Sequence, residues 1–346
     1  MNPGSLRTLG ELTGSHGKHA AWGRGEIAEL LKLRHWRANR TSEENRMYVV
    51  TGATGHSGNI VARTLLDKGA KVRVIGRSAD RLQALVAKGA DSFVADLTDV
   101  SSLAKAFEGA KGAYIMLPPN FTTPDYRAYQ DRVTDTIAAA LRSAGITHVV
   151  TLSSIGADKP DRTGPVLGLR YLEEQLNHIS DLHVLHLRAG YFMENTLAQV
   201  GIIQKMGMSL GPLRPDLKLS MVATEDIGVF AAEALLRLDF HQKNTRELQG
   251  QRDISMNEVA QIIGKAIGNP GLRYIQAPDD QVQAALVQLG MSSSMARLLL
   301  EMSAALNSGY MRAMEPRSAQ NTRPTPYEAF VAEKFKPLYE GKSAAA

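Results

Sequence analysis

Twelve residues constrain this chain more than any others: Met47-Tyr-Val-Val-Thr-Gly-Ala-Thr-Gly-His-Ser-Gly58, a short apolar run that enters a glycine loop. In a turn from strand to helix, Gly52 lets the chain bend sharply and Gly55 lets the backbone approach a pyrophosphate closely. Gly58 lets the next helix pack tightly on the strand. The first N–H groups of that helix and the positive end of its dipole attract an anion without any charged side chain. The following segment, Asn59-Ile-Val-Ala-Arg-Thr-Leu-Leu-Asp-Lys-Gly69, has apolar residues at helical spacing and a terminal glycine. A strand-turn-helix with no ligand has the same outline, so the other strand ends must decide.

From Met47 onward the pattern alternates. Strands are expected at Lys71–Gly76, Ser92–Ala95, Ala113–Leu117, His148–Ser153 and His183–Leu187. Helices are expected at 81–88, 101–107, 125–144 and 167–178. Such alternation predicts an α/β fold of the Rossmann type, a doubly wound parallel sheet with right-handed crossovers. Ligands there bind beyond the carboxyl ends of the strands. After the second strand, Arg77 and Arg81 stand where an NAD site would carry a carboxylate for the ribose 2′-OH. Guanidinium groups match a 2′-phosphate in charge and donor geometry, which favours NADP(H) over NAD(H). Asp96 and Leu97 follow the third strand and are placed to meet adenine, although Asp96 also suits a helix cap. Leu117 ends the fourth strand, and Pro118 and Pro119 stop it and leave the chain extended beside the expected nicotinamide ribose.

A length of 346 residues suits one large domain or a domain with a smaller lobe. The chain has no cysteine, which excludes disulfides, thiol nucleophiles and thiolate metal sites and fits a reducing, cytoplasmic setting. No apolar run reaches membrane-spanning length. Of the formal charge of +5, three units come from residues 1–46, with eight Lys/Arg against five Glu, so the rest carries no nucleic-acid-binding field. That segment holds both tryptophans, Trp22 and Trp36, and the basic stretch Lys32–Arg40; residues 26–36 have amphipathic helical spacing. It is expected to be a poorly ordered extension ahead of the first strand, with a targeting segment and a basic nucleic-acid arm as the alternatives.

The run Thr51–Gly58, Arg77, Leu152-Ser-Ser-Ile-Gly156, Leu187-Arg-Ala-Gly-Tyr-Phe-Met-Glu-Asn195 and Arg323-Pro-Thr-Pro326 together resemble the NmrA-like family, an atypical branch of the short-chain dehydrogenase/reductase superfamily. The similarity spans roughly 47–336. It implies an NADP(H)-binding Rossmann domain over 47–190, a small C-terminal α/β substrate lobe with closing sheet elements over 191–336, and a flexible tail over 337–346. Carried onto this chain, it places Gly52, Thr54, Gly55, His56, Ser57 and Gly58 around the diphosphate, and Tyr191, Phe192 and Asn195 at the mouth of a substrate cleft. Members include NADPH-dependent quinone and azo reductases, and also regulators that bind the dinucleotide without obvious turnover. The implied partner is a small molecule, with a homodimer or a regulatory protein partner as further options.

Common short-chain reductases use Tyr-x-x-x-Lys, in which the lysine lowers the tyrosine pKa for proton transfer. No tyrosine here has lysine four residues on, and alignment on Leu172-Glu173 puts Pro165 and Leu169 in those places. Ser153 and Ser154 remain as candidate catalytic groups, able to polarise a carbonyl or merely to satisfy the turning backbone. Gly207-Met-Ser-Leu-Gly211 matches a nucleophile elbow literally, but the helical pattern before it and Pro212 after it oppose that chemistry. His183 and His186 point to opposite faces of one strand, so no metal site is expected from them. The pair Glu173-Glu174 reads as a solvated helix edge. Beyond the sixth strand the pattern predicts a helix over 195–206, a strand over 219–223 and a helix through Leu238 capped by Thr224-Glu-Asp226. It also predicts paired lobe strands at 247–249 and 272–276, and helices over 256–267, 279–289 and 294–306, the last two a lid, a dimer face or lobe core.

Overall fold

The structure is a computed structural model that describes residues 46–342. The N-terminal extension expected from the sequence therefore lies outside the described residues. The chain runs β1 (Met47–Val50), α1 (His56–Asp67), β2 (Lys71–Gly76), α2 (Gln83–Val86), β3 (Asp91–Val94), α3 (Val100–Phe107), β4 (Ala110–Ile115), α4 (Tyr126–Ala144), β5 (His148–Ser154), α5 (Val166–Asn177) and β6 (His183–Ala189). Then follow β7 (Tyr191–Phe192), a 3-10 turn, α6 (Gln199–Met206), β8 (Ser209–Gly211), β9 (Lys218–Val222), α7 (Thr224–Arg237) and β10 (Lys243–Leu248). Last come β11 (Asp253–Ser255), α8 (Met256–Ala266), β12 (Tyr274–Gln276), α9 (Asp279–Gln288), α10 (Ser293–Asn307), α11 (Tyr327–Phe330), one π-helical turn and α12 (Lys336–Tyr339).

The main sheet has seven strands in the order β10-β6-β5-β4-β1-β2-β3, every neighbouring pair parallel. Alternation along the strands assigns its two faces. Tyr48, Val50, Val74 and Tyr114 pack with Leu65 of α1 and Ile227 and Leu235 of α7. Val49, Ile75, Ala113 and Ile115 pack with Phe107, Ile137 and Leu172 from α3, α4 and α5. Strand order reverses between β1 and β4, which opens a crevice at their carboxyl ends. The long α4 is set by its ends: the Asp125 carboxylate accepts from the Ala128 N–H, and Gly145 takes the left-handed conformation that stops the helix.

Three expectations need correction. The segments at 247–249 and 272–276 do not pair with each other. Residues 243–248 instead form the seventh strand of the main sheet, parallel to β6, and Tyr274–Gln276 pairs with Ser209–Gly211. The physical reason is the free edge of β6, whose row of N–H and C=O groups β10 satisfies over six residues. The start of α7 is not capped by its own Thr-Glu-Asp; Ala223 at that cap position offers no side-chain oxygen. The Thr224 N–H and hydroxyl both donate to the Glu194 carboxylate, at 3.0 and 2.6 Å, so the lobe caps the helix. The helix expected from Asn195 begins as a 3-10 turn over Met193–Ala198 and becomes α-helical only at Gln199. The chain also stays helical at Lys336–Tyr339, inside the expected tail.

The lobe has its own core, in which Met193, Leu219, Ile254, Val259, Ile263, Tyr327 and Phe335 are buried. A C-terminal segment ties it to the sheet domain. The Arg323 N–H donates to the Gln249 carbonyl at 2.7 Å, and Thr325 donates from both its N–H and its hydroxyl to Asp226 of α7.

Candidate functional site

The glycine loop closes on itself. Gly52 has φ +63°, and its carbonyl accepts from the Gly55 N–H at 2.9 Å. A Cβ on Gly58 would stand 2.3 Å from that same carbonyl oxygen, so only glycine permits the approach. Tyr114 donates its hydroxyl to Ser57 at 3.0 Å, and the Thr51 hydroxyl accepts from the Met116 N–H at 2.9 Å, fixing the loop to β4. Thr54 is half-buried, and Gly55 and His56 are exposed. No side chain caps α1 and its first turn has no acidic residue, which leaves its N–H groups and positive dipole for an anion.

Arg77 and Arg81 are exposed on the same rim, and among the described residues neither forms an ion pair. Tyr129 of α4 stands beside this rim and donates its hydroxyl to the Pro118 carbonyl at 3.1 Å. Burial raises the Tyr129 phenol, while the nearby Arg77 lowers it and Asp96 raises it further, which places both charges within reach of that ring. Asp96 does not cap α3. Its Oδ1 accepts from the N–H and hydroxyl of Thr98, and Asp99 is the cap, accepting from the Ser101 and Ser102 N–H groups. Leu97 is half-buried against the α3–α5 side of the core. Arg77 and Asp96 thus both lie near Tyr129, with the Arg77 cation unpaired among the described residues.

A cavity of about 790 Å³ continues from the loop, within the size range of small-molecule sites. Gly55, His56 and Ser57 form one wall with Leu117; Pro118 is set back, and Pro119 takes its place. Ser153 and Ser154 line the middle. Tyr191, Phe192 and Asn195 line the lobe side, and Met302 and Leu306 of α10 close the top, so that helix covers the cavity. Pro165 and Leu169 line the cavity from the start of α5, so an apolar surface occupies the positions where a Tyr-Lys relay would stand.

The two serines spend their protons internally. Ser153 donates to Glu173 Oε1 at 2.5 Å, and Arg188 grips both oxygens of that carboxylate, Nε at 3.0 Å and Nη2 at 2.5 Å. Ser154 donates to the Ile155 carbonyl at 3.0 Å. Of the two roles open to them from sequence, these bonds favour satisfying local groups, and each hydroxyl offers the cavity acceptor lone pairs. Glu173 is consequently no solvated edge residue. It is buried because Ser153 and Arg188 satisfy it, while Glu174 alone faces solvent and pairs with Arg170 at 2.8 Å. Ser209 is buried on β8 and donates to Gln199 at 2.8 Å, which disposes of the nucleophile elbow.

Two groupings escaped sequence spacing. Tyr126, the first residue of α4, lines the cavity; its place just after the proline turn of the fourth strand was the available signal. At the opposite end of the sheet, ring nitrogens of His148, His183 and His241 lie within 4.8 Å of one another. The Gln242 N–H donates to His183 Nδ1 at 2.9 Å, so the proton of neutral His183 sits on Nε2, an arrangement opposed to metal ligation there. Burial foremost, then His183, Lys111, His241 and Arg46, hold His148 down at about 4. His186 lies on the other strand face, buried between Thr151 and Asn177.

The sequence model of the NmrA-like family matches residues 44–331, and the chain belongs to the NmrA-like family. It is 28% identical over 267 residues to an NAD(P)H azoreductase of Xenophilus azovorans, covering 77% of this chain and 89% of that protein. Its fold is similar to that of an NADPH-dependent quinone oxidoreductase of Escherichia coli solved with NADPH, with a TM-score of 0.63 at 22% identity over 87% of this chain and 96% of the other. It is similar also to that of the Citrobacter sp. triphenylmethane reductase in complex with NADP(H), with a TM-score of 0.66 at 18% identity over 84% and 99%.

Proposed function

We propose that this protein is an NADPH-dependent oxidoreductase that reduces a quinone-like or otherwise conjugated small molecule. The observation that carries the reading is the continuity of one cavity from the uncapped glycine loop, past the ends of β4, β5 and β6, to the apolar lobe. The loop residues Gly52–Gly58 and the start of α1 hold the diphosphate. Arg77 and Arg81 take the 2′-phosphate and so select NADP(H) over NAD(H), and Asp96 and Leu97 meet the adenine end. Leu117 and Pro119, which takes the place expected of Pro118, border the nicotinamide ribose. Tyr191 and Phe192 offer flat apolar surface and Asn195 a polar handle for the acceptor. The bound cofactor supplies a hydride; the chain supplies position and the exclusion of water, because no tyrosine of the sequence has a lysine four residues on to form the usual relay. A conjugated acceptor suits such a site, since delocalisation spreads the charge that develops on it. The named relatives, an azoreductase and a quinone oxidoreductase, support that acceptor class.

The internally committed serine protons favour a second reading, a dinucleotide-sensing regulator with little turnover. One experiment separates the two. NADPH absorbance is followed with quinones and azo dyes, for the wild type and for Gly55→Val, whose side chain would project from the loop toward the diphosphate. Consumption that needs both an acceptor and an intact Gly55 supports the reductase. NADPH binding with no consumption by any acceptor rejects it in favour of the regulator.

A further inference from the structure

With Pro165 and Leu169 in the relay positions and both serine protons committed, the usual strand and helix give the cavity no hydroxyl donor. The neighbouring α4 does. The Tyr126 N–H donates to the Ser294 hydroxyl at 3.2 Å, and one turn later Gln130 donates from Nε2 to the Pro165 carbonyl at 2.9 Å. These bonds pin the first turn of α4 between the start of α10 and the start of α5. Tyr126 is only 4% exposed and is part of the cavity wall, with Pro119 and Phe121 on its own chain side and Pro165 and Val166 across from it. Among the described residues nothing hydrogen-bonds its phenol oxygen, and that oxygen is not one of those sealed away without a partner. A buried phenol normally finds a hydrogen-bond partner; this one is free to serve a molecule in the cavity.

We propose that Tyr126 is the proton donor to the acceptor, standing in from α4 for the tyrosine that α5 lacks. The inference rests on the reductase reading above. The hydride adds to the conjugated acceptor, an electron pair collects on its oxygen or nitrogen, and that atom takes the Tyr126 proton. Solvent then returns a proton to the phenolate; the cofactor is oxidised and the acceptor reduced by two electrons. Burial pushes the phenol up to about 12, so it is a neutral O–H donor throughout the neutral range. Its main contribution is a fixed hydrogen bond to charge as it develops. The other pocket phenol, Tyr191, is hydrogen-bonded by Asn195 and lies near Tyr274 and Tyr327 on the lobe side, which leaves it the less suited of the two.

The test compares two acceptors. A quinone needs a proton along with the hydride, whereas a triarylmethane dye cation becomes a neutral product by hydride addition alone. Tyr126→Phe is expected to lower kcat with the quinone by about 100-fold or more, leave NADPH affinity unchanged and leave the dye rate within about twofold. Equal losses on both acceptors would show a packing role and overturn the proposal, as would an unchanged quinone rate. Tyr191→Phe, measured alongside, is expected to show no acceptor-selective loss; if it alone shows one, the donor is Tyr191. A wild type that consumes NADPH with neither acceptor sinks the reductase reading and this inference with it, an outcome distinct from a working enzyme indifferent to Tyr126.

Discussion

At the amino end of the main sheet His148, His183 and His241 crowd together with Lys111 and Arg46 nearby; at its carboxyl end Gly55 and Tyr126 line the cavity and Arg77 is exposed. Polar and ionisable side chains are plentiful at both ends. The difference lies largely in how far their bonding capacity is used, with His148 Nε2 an exception at the amino end, buried without a partner among the described residues. His186 has one ring nitrogen on Thr151 and the other on Asn177, and the Lys243 ammonium donates to the Ile179 and Leu182 carbonyls. At the other end, among the described residues, a helix start has no side-chain cap, two arginines form no ion pair and a phenol oxygen has no hydrogen-bond partner. Ligand chemistry is therefore better located by unused hydrogen-bonding capacity than by the mere clustering of titratable residues.

The comparison is tested most severely at Glu173, which sits between the two regimes: it faces the cavity through Ser153 yet is fully committed. Glu173→Gln keeps its shape and strands the largely buried Arg188 guanidinium. Urea unfolding is expected to show a loss of about 3 kcal/mol, the cost typical of breaking a buried pair. A variant as stable as the wild type would mean that Arg188 reaches water easily and that the triad is looser than its distances.

The buried histidines make a prediction about acid. Burial, as the largest cause, holds His186 at about 4 against an ordinary 6.5, with Glu173 opposing and Arg188 reinforcing the shift. The unfolded chain then binds more protons between those values, so stability is complete above about pH 6.5 and falls as pH drops toward 4. The loss from this residue is about 2 kcal/mol by pH 5. His148, less buried, adds to it in the same direction. Denaturation curves at pH 7.5 and pH 5 are expected to differ for the wild type and to differ less for His186→Gln, with His148 supplying the remainder; a flat wild-type profile would refute the assignment. The smallest effect belongs to the open end. Arg77→Ala is expected to weaken NADPH by about 1–2 kcal/mol, roughly five- to thirtyfold, with NADH unchanged. Equal weakening of both dinucleotides would place Arg77 somewhere other than the 2′-phosphate.

The sheet domain was largely legible because its strands announce themselves: Lys71–Gly76 was read at its observed limits, and the others to within a few residues at each end. The conformations of Gly52 and Gly58 were legible for a related reason, since a tight turn or a close backbone approach leaves a mark at one position. The place of Tyr126 in the cavity wall was not, because it depends on Pro165 from another helix. Glu173 beside Glu174 looked like a surface pair until Arg188, fifteen residues on, was seen to reach it. The lobe was least legible. Its strands are short, two to five residues each, and their partners come from distant chain segments, so nothing local in Tyr274–Gln276 points to Ser209–Gly211.

The seventh strand has a consequence for how the molecule is made. The chain leaves the sheet at Gly190, builds part of the lobe, returns as α7 and β10, and leaves again at Gln249 for the rest of the lobe. On the ribosome, β6 must therefore wait with a bare edge until residue 248 has been synthesised, a period during which a chaperone or a wrong strand has access to it. Neither part is a cassette. A gene fragment ending at residue 190 would carry the glycine loop and a strand with one bare edge, and any transplant of the lobe would have to bring α7 and β10 along.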